Sequence, residues 1–267
     1  MGRILKSTVQ DLCDANECVA ILKKEPYLGI TIPHIPLHLL KWATIQDASW
    51  ANASNDRSQG AFLVGVTTAS LWDSKAAPFA LLSFKSHCLK RLCSSTLAAV
   101  TMSEAVAEVE WVRGLFEELV NPKFDIINWA SRTRHRGLLV AGRSADPNRE
   151  LAELLTICDA KSLYDHLHSE TAGCTADRRT AIEIQIIRSS LGAQNGEVRW
   201  VDHSGMYADA MTKRNGNVPL LQMLMRTGRV CITEMAAILE KHRLDPKSRS
   251  SQAKTRVDPA EAITANT

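Results

Sequence analysis

Three early segments, the second rich in Val, Phe and Thr, are separated by short polar stretches and read as strands. These are residues 41–51 (KWATIQDASWA), 59–70 (QGAFLVGVTTAS) and 79–88 (FALLSFKSHC). The short polar separations between them, ANASNDRS among these, favour an antiparallel meander. From Ser94 to Leu119 the pattern changes. Met102, Val106, Val109, Val112, Phe116 and Leu119 recur at three and four, so one stripe of a long helix faces a core. Ser94, Ser95 and Thr96 suit its start, and Asn121-Pro122 stops it.

Further along, ELLTICD (153–159) is a short apolar run ending in an acid, as in a strand buried on both faces. AKSLYDHLHS continues as a helix, and DRRTAIEIQIIRSSL (177–191) forms a second one, capped by Thr175 or Asp177. EVRWVDH (197–203) alternates as a strand, and MYADAMTK follows as a short helix. This order predicts an α/β fold: a five-stranded mixed sheet, three antiparallel strands then parallel ones, flanked by helices. Residues 1–25 read as a helix and 26–39 as a proline-stiffened connector ending one unit and entering another. The main domain is expected over 40–215, a helical extension over 216–244, and a disordered basic tail over 245–267.

Composition changes this picture little. The 267 residues carry 32 Lys+Arg against 29 Asp+Glu, with 45% hydrophobic residues, which is ordinary for a folded chain. A net charge of +3 neither announces nor excludes a nucleic-acid partner. No apolar run is long enough for a membrane helix, and MGRILKSTVQDLCD has no secretory h-region. With seven cysteines and no C-x-x-C pair, the expected setting is intracellular (cytoplasmic or nuclear), with reduced thiols. Cys88 and Cys93 beside His87 lack the second pair a zinc site needs. There is no G-x-S-x-G elbow, no G-x-G-x-x-G or Walker loop, and no H-E-x-x-H.

Three acids fall where burial would be costly: Asp47 inside a strand, Asp159 ending an apolar run, and Asp209 opening a terminal helix after a strand. Gathered at one sheet edge, they could hold Mg²⁺, and two ions about 3.5–4 Å apart can activate water against a phosphodiester. They could instead be separately solvated or capping. Spacing alone leaves both readings open and by itself favours the second.

The surrounding words occur in a fixed order. They are Asp47-Ala48-Ser49-Trp50 with Ser58-Gln59-Gly60, CSSTLAA (93–99), CDAKS (158–162), and Ala208-Asp209-Ala210-Met211-Thr212-Lys213. Together, over about residues 38–213, they resemble the RNase H domain at the end of the Pol polyprotein of copia-type LTR retrotransposons. The upstream GITIPHIP is similar to that family's link from reverse transcriptase to RNase H.

The resemblance implies an RNase H-like fold, an RNA–DNA hybrid as partner, the reverse transcriptase portion of the same polyprotein as neighbour, and two Mg²⁺ ions if the site is active. Asp47, Asp159 and Asp209 would be three of four metal-binding carboxylates. The fourth, a glutamate ending an S-T-x-A-E word, is expected at position 100, where this sequence has Val100. At ~100° per residue Val100 lies opposite Val109 on the helix, where a site-facing group is expected. Glu104, one turn on and ~6 Å along the axis, is a poor substitute. Cleavage is therefore expected to be strongly reduced or absent. The alternative is a non-catalytic domain of the same fold that binds nucleic acid or packs on a polymerase, or a decayed element fragment.

Cations for a hybrid's phosphates are expected from Arg178 and Arg179, from Lys213, and from the loop Arg132–Arg136. Basic loop residues are as readily explained as a solvated charge run. His203, just before Asp209, is a possible auxiliary for proton transfer or product release, though a surface role is the simpler one. Trp42, Trp50 and Trp200 are expected in the core.

Overall fold

The computed structural model describes residues 8–24, 27, 29–53, 57–73, 75–89, 94–120, 124–125, 153–169, 177–213 and 215–232, with backbone only at 51–53 and 94–95. The Arg132–Arg136 loop and the basic tail lie outside these residues. The elements are α1 (Val9–Lys24), β1 (Lys41–Ala53), β2 (Arg57–Thr67), β3 (Ala77–Leu89), α2 (Ser94–Val120), β4 (Leu154–Cys158), α3 (Lys161–His168), α4 (Arg178–Ala193), β5 (Gly196–Trp200), α5 (Val218–Thr227) and β6 (Arg229–Val230).

One six-stranded sheet carries them, in the order β5-β4-β1-β2-β3-β6. The first three strands form an antiparallel meander, Asp47 standing opposite Ala61 and Gly60 opposite His87. β4 joins the free edge of β1 in parallel, with Gln46 opposite Cys158, and β5 joins β4 in the same sense. A three-strand antiparallel meander extended by two parallel strands, with helices on both faces, is the RNase H-like architecture. The five expected strands are present. A sixth, only two residues long, adds to β3 within the segment 216–244 expected to be helical, whose described helix ends at Thr227.

Strand parity divides the interior into two cores. Trp42 of β1 faces α2 and α4, with Met102, Val106, Val109, Ile184 and Ile187. Ala43 and Ile45 face the other way, onto Leu71, Trp72, Tyr207 and Leu224. α2 packs as its stripe predicts from Met102 to Phe116, while Leu119, beyond the sheet, is exposed. Asp177 caps α4 by accepting from the Arg179 and Thr180 amides. It also accepts from the Thr96 and Thr180 hydroxyls, which ties the first turn of α2 to the first turn of α4. Those bonds, Thr96 foremost, hold the Asp177 carboxyl far below the usual range.

The connector is bonded across the molecule. Thr31 donates its amide to Met225 O (2.7 Å) and its hydroxyl to Arg226 O (2.8 Å) at the C-terminal end of α5. Gly228 ends that helix at φ 60°, and a Cβ there would meet Thr31 O at 2.8 Å. α1 has no buried residue.

Candidate active-site cleft

Asp47 continues the odd-numbered row of β1 past Ile45, so its side chain leaves the sheet on the face covered by Tyr207 and the turn at 209–213. Asp159 directly follows β4, the parallel neighbour of β1. Asp209 opens a 3₁₀ turn, Asp209–Met211, rather than a longer helix. Asp47 and Asp209 are buried, and Asp159 lies beside them, part-exposed.

The turn after Asp209 supplies the donors. Thr212 Oγ1 donates to Asp47 Oδ2, and Lys213 Nζ donates to Asp209 Oδ1. The same ammonium lies 3.5 Å from Asp47 Oδ2 and 3.4 Å from His203 Nδ1. His203 Nδ1 in turn stands 3.4 Å from Asp209 Oδ1 and 3.7 Å from Asp159 Oδ2. The Asn217 amide donates to the other Asp209 oxygen (2.9 Å), and Ser49 Oγ donates to Thr212 O (2.8 Å), fixing the turn to β1. Three acids thus surround one lysine.

Their electrostatics are coupled. Asp159 is pushed up to about 6, first by burial and then by the Asp47 charge, with Lys213 and His203 drawing it part of the way back. Burial alone would pull the Lys213 pKa down. The Asp209 hydrogen bond and the Asp47, Asp209 and Asp159 charges outweigh it, and the net direction is up. Trp200 Nε1 donates to Asp159 O (2.7 Å), and Lys161 Nζ sits 5.6 Å from the Trp200 ring centroid.

Across the sheet's end, α2 closes a small cleft whose lining includes Gln46, Asp47, Ala98, Thr101, Cys158 and Asp159. Ala98 and Thr101 are the helix residues on it; Val100 is not. Val100 is 8% exposed, one turn before Glu104, and Glu104 reaches β3, pairing with Lys85 (3.2 Å) and His87 (3.0 Å). The placement of the missing acid at 100 is corrected. Laid on Ser95-Thr96-Leu97-Ala98, the S-T-x-A-E word ends at Ala99, which is buried in the core, so position 100 is one residue past it. The helix residues that meet the cleft are Ala98 and Thr101, and Glu104 is engaged elsewhere. The reason is geometric. Ala98 and Thr101, the α2 residues that line the cleft at the end of β1 and β4, lie toward the sheet, not away from the apolar stripe. Ala98 is only ~20° from Val109 around the helix.

Two divalent ions would need an oxygen ligand from that wall. It offers the Ala98 methyl and the Thr101 hydroxyl, which donates to Leu97 O (2.9 Å). Among the described residues, no group of three or more His, Cys, Asp or Glu side chains is drawn together closely enough to hold a metal ion. The residues as they stand do not fit the two-ion site that the resemblance implies.

The other candidates divide. Arg178 and Arg179 are exposed on the first turn of α4, joined through Asp177 and Thr96 to the cleft end of α2. Lys213, expected at a phosphate, turns inward to the acids. Trp42 is core and Trp200 half-buried, but Trp50 is 63% exposed. Thr212 and Asn217 were not singled out from sequence. The signal for Thr212 was its place three residues after Asp209, within reach of the same turn.

No protein-family model and no curated protein matches the sequence. Solved structures of similar shape include an N-terminal RNase H domain from Mycobacterium tuberculosis, solved as a fusion with maltose-binding protein. It is 8% identical, with TM-score 0.37, and the match covers 65% of this chain and 91% of that one. RNase H1 from the halophilic archaeon Halobacterium salinarum is 9% identical, with TM-score 0.38, over 64% of this chain and 93% of that one. The prototype foamy virus protease–reverse transcriptase is 11% identical, with TM-score 0.33, over 74% of this chain and only 22% of that one. No described helix is long and apolar enough to cross a membrane.

Proposed function

We propose that this RNase H-like domain derives from the polyprotein of a copia-type element, binds RNA–DNA hybrids, and has lost most or all of their hydrolysis. One observation carries the reading. Acids stand at the end of β1, after β4 and on the Asp209 turn, while the helix wall opposite them presents Ala98 and Thr101 where chemistry would require a fourth carboxylate. Retained acids at three separate chain positions support descent from a catalytic ancestor. The missing fourth acid removes the group that would hold a second Mg²⁺.

Exposed Arg178 and Arg179, with Lys161 beside Asp159, support contact with a duplex backbone at this end of the sheet. The exposed apolar residues of α1, Leu12, Ile21 and Leu22, support a neighbour on that side. In this reading it is the polymerase portion of the same polyprotein.

The test is binding and cleavage of a labelled RNA–DNA hybrid in Mg²⁺ and in Mn²⁺. The expected result is salt-dependent binding, weakened in Arg178→Glu/Arg179→Glu, with little cleavage by the natural chain. Ala98→Glu or Thr101→Glu should raise cleavage, and Val100→Glu should not. Robust natural cleavage that disappears in Asp47→Asn would overturn the loss of hydrolysis. Failure to bind any hybrid at low salt would overturn recognition.

A further inference from the structure

We propose that Lys213 is the resident cation of the carboxylate cluster, occupying the place a divalent ion would take and excluding such ions. The inference rests on the reading of this cleft as a former RNase H-type site and goes on to say what replaced its metal.

The geometry is specific. Lys213 Nζ is bonded to Asp209 Oδ1, lies 3.5 Å from Asp47 Oδ2, and meets His203 Nδ1 at 3.4 Å, so one ammonium faces two buried acids and an imidazole. Its side chain is only 26% exposed. A surface lysine fishing for a counter-ion would be freer. The other Asp209 oxygen, Oδ2, takes the Asn217 amide, and the Asp47 Oδ2 that faces the ammonium also accepts from Thr212 Oγ1.

The tether is short. The Lys213 amide donates to Asp209 O (3.1 Å), so acid and counter-charge belong to one closed turn. That turn is locked to β1 through Ser49 and to α5 through Asn217. A cation attached four residues away competes as an intramolecular ligand, at an effective concentration on the order of millimolar or higher. An incoming Mg²⁺ must displace it and shed water, which that ion does reluctantly. With no acid on α2 to add charge, a divalent ion has little to gain in return.

Mn²⁺ binding to the full chain, followed by the loss of the free-ion EPR signal, tests this without nucleic acid. The natural chain should show no saturable site tighter than about 1 mM. Lys213→Met should gain one at least about tenfold tighter, and adding Asp47→Asn to it should remove the gain. In EDTA, Lys213→Met should melt below the natural chain, and MnCl₂ should raise its Tm while leaving the natural Tm unmoved. A natural-chain site tighter than that bound, abolished by Asp47→Asn, would overturn the proposal even if Lys213→Met did not fold. So would a folded Lys213→Met with unchanged Mn²⁺ affinity. Hybrid binding and cleavage do not enter these readouts, so the reading of the cleft can fail while Lys213 remains the cation, and the reverse.

Discussion

Asp47 and Asp159 line one wall of the cleft, and Asp209 is joined to Asp47 through Lys213. Asp47 and Asp209 are each held by donors from the turn at 209–217. Across from them α2 presents a methyl and a hydroxyl that is bonded within its own helix. The acidic wall is a network in which each member is desolvated and depends on the others. The helix wall is ordinary packing. A change of function that removes one carboxylate need not dismantle the rest, provided a cation remains to neutralise what is buried. Lys213 satisfies that condition.

The contrast can be broken by mutation, and the largest effect is expected at Asp209. Asp209→Ala strips Lys213 and the Asn217 amide of their acceptor and leaves Asp47 facing a loosened turn. A loss of about 3–5 kcal/mol in urea unfolding is expected, as when one partner of a buried pair is removed. A loss under about 1 kcal/mol would mean that the pair behaves like one on the surface.

Asp159 sharpens the comparison from the opposite direction. Its folded pKa of about 6 lies above the ordinary 3.8, so between those values the folded state binds more protons than the unfolded one. Stability contributed by this group therefore falls as pH rises from about 4 to about 6 and levels off above that. Asp159→Asn should flatten that slope. At pH 7 to 8 it should stabilise the fold, by on the order of 2 kcal/mol at most, while changing little at pH 4. Melting curves across that range check it, and an unchanged slope would show that Asp159 is not the group responsible.

The smallest effect belongs to the helix wall. Ala98→Ser should alter stability by no more than about 0.5 kcal/mol. A cost near that of Asp209→Ala would erase the distinction between the walls.

Much of the fold was legible because period and burial agree. The segments 41–51 and 59–70, the second read from its Val, Phe and Thr content, are β1 and β2, and the stripe from Met102 to Phe116 faces the sheet. The three acids were not joined by spacing alone, which favours separate solvation; the ordered words around them are what mark all three. The helix wall was not legible. Helical phase taken from Val109 points away from the core at Val100. The cleft lies beyond the end of the core but under the same side of α2, so the residues facing it sit at the margin of the apolar stripe. Alanine and threonine at such positions look like packing. Lys213 was misjudged for a related reason. A lysine four residues after an acid was expected at a phosphate, and only the closed turn shows that its ammonium points inward. Trp50 shows the limit of alternation on a strand that runs past its covering helix.

Thr31 holds Met225 and Arg226 at one end of α5, and Asn217, at the other end, holds Asp209. The helix is in effect a strut pinned at both ends. Displacing the connector must either break the two Thr31 bonds or drag the strut with it, and the first acid to feel that load is Asp209. Tension on the chain preceding position 31 and the shape of the cleft are therefore joined by a single mechanical part.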